Sequence, residues 1–154
     1  ETPGLQQKLR EDPALIPALT EEVLRLEGST KATFRVARRH TRIGNVDVPP
    51  GKRILVALAA ANRDPRRWPD PEVFQFNRPR IREHLAFGRG VHTCLGAPLA
   101  RAEVNIILDR FIRQTSDIRL SEDRHGSPGN RRLDYEPSFI IRGLESLYVE
   151  LQPA

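Results

Sequence analysis

The chain has 154 residues, a formal net charge of +5 at neutral pH, 38% hydrophobic and 6% aromatic residues, and one cysteine. That length supplies one core and is short for a multidomain enzyme, while a lone cysteine excludes an internal disulfide and favours the cytoplasm. No apolar run approaches the ~20 residues that span a membrane; although 22 of the 25 basic residues are arginine, sparse aromatics and interspersed acids argue against a nucleic-acid partner.

The chain starts at Glu1, contains no methionine and enters helical text almost at once, which reads as a piece of a longer protein. "DPALIPALTEEVLRLEG" (12–28) predicts a helix: Pro13 and Pro17 suit first turns, Leu19, Val23 and Leu26 share a stripe, and Gly28 stops it. Residues 33–59 predict short strands, with a turn at Gly44–Asn45 and a break at Pro49–Pro50–Gly51. "ANRDPRRWPDPEVFQFNRPR" (61–80) has four prolines and no period, so it predicts an ordered meander anchored by Trp68, Phe74 and Phe76. "LGAPLARAEVNIILDRFIRQ" (95–114) is the clearest helix, with an apolar stripe of Ala97, Ala100, Val104, Ile107, Leu108 and Phe111. Residues 122–136 predict a polar surface loop, and "SFIIRGLESLYVEL" (138–151) two strands around a turn at Gly143–Glu145.

The cysteine lies in "FGRGVHTCLGAPLAR" (87–101), where Gly88, Gly90 and Gly96 frame Cys94 just ahead of that helix. Free N–H groups and the positive end of a helix favour an anionic sulfur there, and the glycines let a flat, bulky group approach the backbone. The residues alone leave other readings open. A free cysteine is usually a small buried hydrophobe; His84, His92 and Cys94 could bind zinc, without a fourth ligand; a Cys94–His92 pair could be nucleophilic.

"FGRGVHTCLGAPLAR" resembles the haem-binding loop of the cytochrome P-450 superfamily, F-x-x-G-x-H/R-x-C-x-G, matching it at Phe87, Gly90, His92, Cys94 and Gly96. The continuation "LAR" resembles soluble bacterial members. The resemblance implies haem b as cofactor, with the Cys94 thiolate as axial iron ligand favouring O–O cleavage. "EEVLR" resembles the family's E-x-x-R motif at Glu22 and Arg25, 69 residues from Arg25 to the cysteine. The meander arginine completing that cluster is Arg78, with Arg80 as the one-slip alternative, and Glu21 would compete for Arg25. "FRVARRHTRIGNVDVPPG" is similar to the segment whose arginine meets a haem propionate, which implies Arg35 for that role, with His92 on a propionate also. Here His40 and Asn45 depart from the family pattern. Thr30, Phe34, Phe139, Ile140 and Ile141 would line the distal, substrate side.

The resemblance implies an α+β fold: the C-terminal haem-loop portion of a mainly helical cytochrome P-450, with two principal helices, small β-sheets and a meander, all within one domain whose distal-helix portion lies upstream. It implies a parent haem-thiolate monooxygenase inserting one oxygen atom into a small hydrophobic organic substrate, with electrons from a ferredoxin-type donor. The distal acid–alcohol helix of the family does not appear in these residues, so the segment alone is expected to be inactive and need not hold haem. A haem-thiolate peroxygenase and a haem-free interaction remnant are the alternatives. Arg89, Arg101 and Arg110 are expected to form a positive docking patch behind the thiolate.

Overall fold

The computed structural model describes residues 2–154. Helix α1 (Leu5–Glu11) comes first. Asp12 then caps the next element: its carboxylate accepts the Ala14 N–H at 3.1 Å, and Pro13 occupies the first turn of a short 3₁₀ stretch, Pro13–Leu15. Helix α2 (Ile16–Glu27) follows directly, with Pro17 in its first turn. The predicted single helix over 12–28 is therefore a 3₁₀ turn followed by an α-helix. Gly28 ends α2 as expected, in extended backbone (φ −51°, ψ 132°). A Cβ there would meet the Leu24 carbonyl oxygen at 2.8 Å and the Ala86 side chain at 3.2 Å, so close approach is what excludes a side chain.

Strand β1 (Thr33–Val36) pairs antiparallel with β4 (Arg53–Val56), Thr33 opposite Val56. Between them β2 (Thr41–Ile43) and β3 (Val46–Val48) form a hairpin over Gly44, whose φ of 58° suits a tight two-residue turn. A short helix α3 (Leu58–Ala61) leads into the meander. Within the meander Trp68 is buried, and Phe74 and Phe76 meet edge to face at 5.0 Å.

The long helix α4 (Ala97–Gln114) packs against α2 by a face rotated from the one its apolar pattern suggests, and of the expected stripe Ala97 and Leu108 turn inward. Ile112 is buried, with Leu108 beside it, in a cluster with Leu9, Ile16 and Leu19. Arg101 and Asn105 share that face and find partners on α2, Asn105 accepting the Thr20 hydroxyl hydrogen bond at 2.7 Å. Val104, Ile107 and Phe111 of the expected core stripe are exposed. Polar residues with buried partners outweighed the apolar periodicity, because each bonded pair satisfies groups that would otherwise be stranded.

Strand β5 (Thr115–Leu120) continues from α4 and pairs antiparallel with β6 (Val149–Pro153), a sheet the sequence reading passed over. The expected hairpin over 138–151 is not formed, because its two halves go to different partners. Residues 140–142 bond to the segment after α2, Lys31 N–H to Ile140 at 2.7 Å and Arg142 N–H to Ser29 at 2.6 Å, while 149–151 join β5. The loop 122–136 opens with a one-turn helix, α5 (Glu122–His125), and buries His125. That ring accepts the Tyr148 N–H at 2.8 Å on Nε2, which leaves Nδ1 to donate to the Arg132 carbonyl at 3.2 Å. No helix among the described residues is long and apolar enough to cross a membrane.

Candidate functional site: a glycine-framed thiol and two ion clusters

Helix α2 turns two adjacent carboxylates inward, and each gathers its own cations. Glu22 is fully buried and accepts a forked pair of hydrogen bonds from Arg25, Nε to Oε2 and Nη2 to Oε1, both at 2.8 Å. Arg78 of the meander adds a third at 2.8 Å, and the Gln75 N–H a fourth at 3.2 Å. The two guanidiniums spend their other donors on carbonyls: Arg25 on Asn62 and Pro71, Arg78 on Pro69, Asp70 and Val73. Burial alone would push the Glu22 carboxyl up, but the bonds from Arg25 and Arg78 hold it below the usual carboxylate range. Arg80, the alternative one slip away, is exposed and pairs with Glu83 at 2.6 Å.

Glu21 does not compete for Arg25. It takes Arg101 of α4, Nε to Oε1 at 2.5 Å and Nη2 to Oε2 at 3.0 Å, and His84, Nε2 to Oε2 at 2.9 Å. The Ala86 N–H donates to His84 Nδ1 at 3.1 Å, so the ring hydrogen given to Glu21 sits on Nε2. Burial would raise the Glu21 carboxyl; hydrogen bonds from His84 and Arg101, with the Arg101 charge, bring it down to about 2. A carboxyl lowered from 4.5 to about 2 on folding contributes about 3 kcal/mol above pH 4.5. That contribution is lost as pH falls from 4.5 through about 2. The urea midpoint is therefore expected to drop across this window, and to drop less steeply in Glu21→Gln, which has no charge to lose. Equal acid slopes for the two proteins would show that Glu21 is not held ionised by this cluster.

The Cys94 loop meets the second of these clusters at Phe87, against which Arg101 and His84 lie. The Cys94 N–H donates to the Phe87 carbonyl at 2.9 Å, and the Ala97 N–H at the start of α4 donates to the Cys94 carbonyl at 3.3 Å. Gly88 (φ 69°) and Gly90 (φ 79°) adopt the left-handed backbone that folds the loop back on itself, where other residues would be strained. A 3₁₀ turn, Gly90–His92, carries the imidazole, and Thr93 closes it by donating its hydroxyl to Gly90 at 2.8 Å. Cys94 is a free, exposed thiol. Val91 and Leu95 beside it are 97% and 99% exposed, and Leu99 is exposed as well.

These residues fit a large, flat, apolar group with a soft metal at its centre. The donor is a single accessible thiol, flanked by bare aliphatic surface that has no reason to face water. Gly96 lies beside the sulfur, where a Cβ would sit 3.8 Å from Sγ in ordinary van der Waals contact. His92 is exposed on the same loop. Arg35 is exposed on β1, with its guanidinium folded back to donate to Thr33 at 3.1 Å and to the Phe34 carbonyl at 2.8 Å. Thr30 and Ile141 form an antiparallel bridge that sets Ile140 against Lys31, so these two segments meet. Phe34 and Phe139 are exposed. Arg101, expected in a solvent-facing patch, is instead committed to Glu21. The residues that reading missed are Glu21 as a hub and His84 as its partner. The sequence carried a signal for both, a second carboxylate adjoining Glu22 and a histidine three residues ahead of Phe87.

Comparison with known proteins agrees with this arrangement. The family model for cytochrome P450 matches residues 3–119. Cytochrome P450 107B1 of Saccharopolyspora erythraea is 42% identical over 142 residues, covering 92% of this chain and 33% of the relative. Cytochrome P450 monooxygenase PikC of Streptomyces venezuelae is 40% identical over 140 residues, 90% of this chain and 32% of the relative. The solved substrate-free cytochrome P450 CYP150A6 of Mycobacterium marinum superposes with a TM-score of 0.95 at 47% identity, over 99% of this chain and 37% of that one. The chain thus spans about a third of the length of the curated relatives it matches. A free thiol on a glycine loop and a buried Glu–Arg–Arg cluster, matched in sequence and in fold over residues 3–119, place this chain in the cytochrome P450 family.

Proposed function

We propose that this chain is the thiolate-bearing portion of a haem-thiolate monooxygenase that inserts one oxygen atom from O2 into a small hydrophobic organic substrate. The observation that carries the reading is Cys94: accessible, framed by Gly88, Gly90 and Gly96, and fixed through its own N–H to Phe87. Haem, when bound, supplies the oxygen chemistry. Cys94 gives it a thiolate ligand, and the exposed faces of Val91, Leu95 and Leu99 give it an apolar seat. His92, and Arg35 once its side chain swings off its own strand, are the cations offered to the propionates. Thr30, Phe34, Phe139, Ile140 and Ile141 present apolar surface to substrate. Glu22, Arg25 and Arg78 hold the meander to α2, which is a structural role. A separate ferredoxin-type protein supplies electrons.

The relatives are about three times as long, and the exposed apolar side of α4 supports a portion that works joined to the remainder of such a protein. By itself the segment is expected to be inactive. The one cysteine accords with a cytoplasmic setting.

The test is Cys94→His in the haem-loaded protein. The ferrous–CO complex of the wild type is expected to show the red-shifted Soret band of thiolate ligation, and the variant to lose it while still holding haem. An unchanged spectrum would remove Cys94 as the ligand.

A further inference from the structure

We propose that Glu21, His84 and Arg101 are positioning residues that hold the Cys94 thiolate in place through the ring of Phe87. The inference rests on the reading of Cys94 as the haem ligand and assigns the residues that keep it there. Three observations carry it. The Arg101 guanidinium lies over the Phe87 ring, 4.7 Å from its centre. The His84 ring approaches the same phenyl at 6.2 Å. The carbonyl of Phe87 is the acceptor for the Cys94 N–H, at 2.9 Å.

Glu21 binds both flanking groups, Arg101 through both carboxylate oxygens and His84 through Oε2, and is itself buried. A buried carboxylate on α2 therefore fixes a cation from α4 and an imidazole from the segment between the meander and the loop, and these two fix the phenyl. The phenyl's own backbone then fixes the cysteine. A flat guanidinium suits this task because it can stack on a ring face while its edge forks to a carboxylate, which an ammonium cannot do. The tautomer of His84 is set by the Ala86 N–H, so the support tolerates no rotation of that ring. Besides this anchor Cys94 is tied only through its carbonyl, which accepts the Ala97 N–H at 3.3 Å, among the described residues: Gly90, Val91, His92, Thr93, Gly96 and Cys94 itself are exposed, and Thr93 bonds within the loop.

A general α2–α4 contact would behave differently, and the fold provides the control. Thr20 and Asn105 form a hydrogen bond across the same pair of helices, one turn along α4 from Arg101. Their side chains bond to each other, and neither is among the groups that flank Phe87.

The experiment compares Arg101→Gln, Arg101→Lys and Thr20→Val in the haem-loaded protein. The readout is the lifetime of the red-shifted ferrous–CO band before it converts to the band of thiol ligation, with melting temperature measured alongside. Outer partners of a metal ligand commonly matter about 10–100-fold, and Arg101→Gln is expected to shorten that lifetime by at least the lower figure. Arg101→Lys keeps the charge for Glu21 but not the stacked plane, so it is expected to stay folded and still shorten the lifetime. Thr20→Val is expected to lower the melting temperature with the lifetime unchanged. A wild-type lifetime in Arg101→Lys, or equal shortening in Thr20→Val, would overturn the positioning role. Absence of the red-shifted band in the wild type would overturn the underlying assignment of Cys94 instead.

Discussion

Glu22→Ala is expected to destabilise the protein by about 3–5 kcal/mol, the range for breaking one side of a buried ion pair. Folded domains hold together by only ~5–15 kcal/mol, so this single change removes a large share. The variant keeps Arg25 and Arg78 buried with no anion between them, and their carbonyl partners in the meander do not neutralise charge. Arg25→Ala is expected to cost a similar amount, since it leaves Glu22 with one cation, Arg78, beside the Gln75 N–H, and releases the Asn62 and Pro71 carbonyls. A surface pair gives the contrast. Asp109 and Arg113 are four apart on the exposed side of α4, where such a pair contributes about 0.3–0.5 kcal/mol. Asp109→Ala should therefore leave the urea midpoint nearly unchanged. Trp68 is the only tryptophan and lies against Arg25, so its emission reports the state of this cluster directly. A Glu22→Ala midpoint within error of that of Asp109→Ala would mean the buried cluster contributes no more than a solvated pair.

The same contrast explains what could be read from the sequence. Glu22, Arg25 and Cys94 announce themselves because their chemistry needs fixed spacing along the chain: three residues for a helical ion pair, and a glycine on each side of a loop sulfur. The hairpin over Gly44 and the break after Gln114 depend on local backbone preferences and were legible for that reason. The α2–α4 interface was not. Apolar periodicity pointed to Val104, Ile107 and Phe111, yet the helix turns Arg101 and Asn105 inward, because Glu21 and Thr20 await them across a contact of 80 and 85 residues in sequence. No local pattern records a partner that far away. The terminal segment failed likewise. Residues 138–151 have the look of a hairpin, but main-chain groups after α2 and along β5 capture its two halves first. Glu21 stood beside a recognisable motif and was read as a rival of Glu22 for Arg25. Helix geometry separates the two carboxylates: neighbours along a helix point about 100° apart, so one meets the meander and the other α4.

Trp68→Ala is the second change with a large expected effect. The ring is 2% exposed, its Nε1–H donates to the Ala61 carbonyl at 3.2 Å, and its backbone N–H closes a turn on Asp64 at 2.8 Å. Two guanidiniums lie against it, Arg67 at 4.7 Å and Arg25 at 5.6 Å from the ring centre. Truncating a buried tryptophan costs about 3–5 kcal/mol through lost burial and the cavity it leaves. Here the cavity opens beside Arg25, so water reaches the charged cluster that the ring now covers. The two losses should therefore not add. In a double-mutant cycle with Arg25→Ala, the combined cost is expected to fall short of the sum by about 0.5–3 kcal/mol, the range for coupled neighbours. Trp68→Phe retains most of the apolar burial while losing the bond to Ala61, and should recover more than half of the stability lost in Trp68→Ala. Phe139→Ala, at a side chain 74% exposed, should change stability by no more than about 0.5 kcal/mol. Strict additivity of Trp68→Ala and Arg25→Ala would show that the ring fills space near the ion cluster without shielding it.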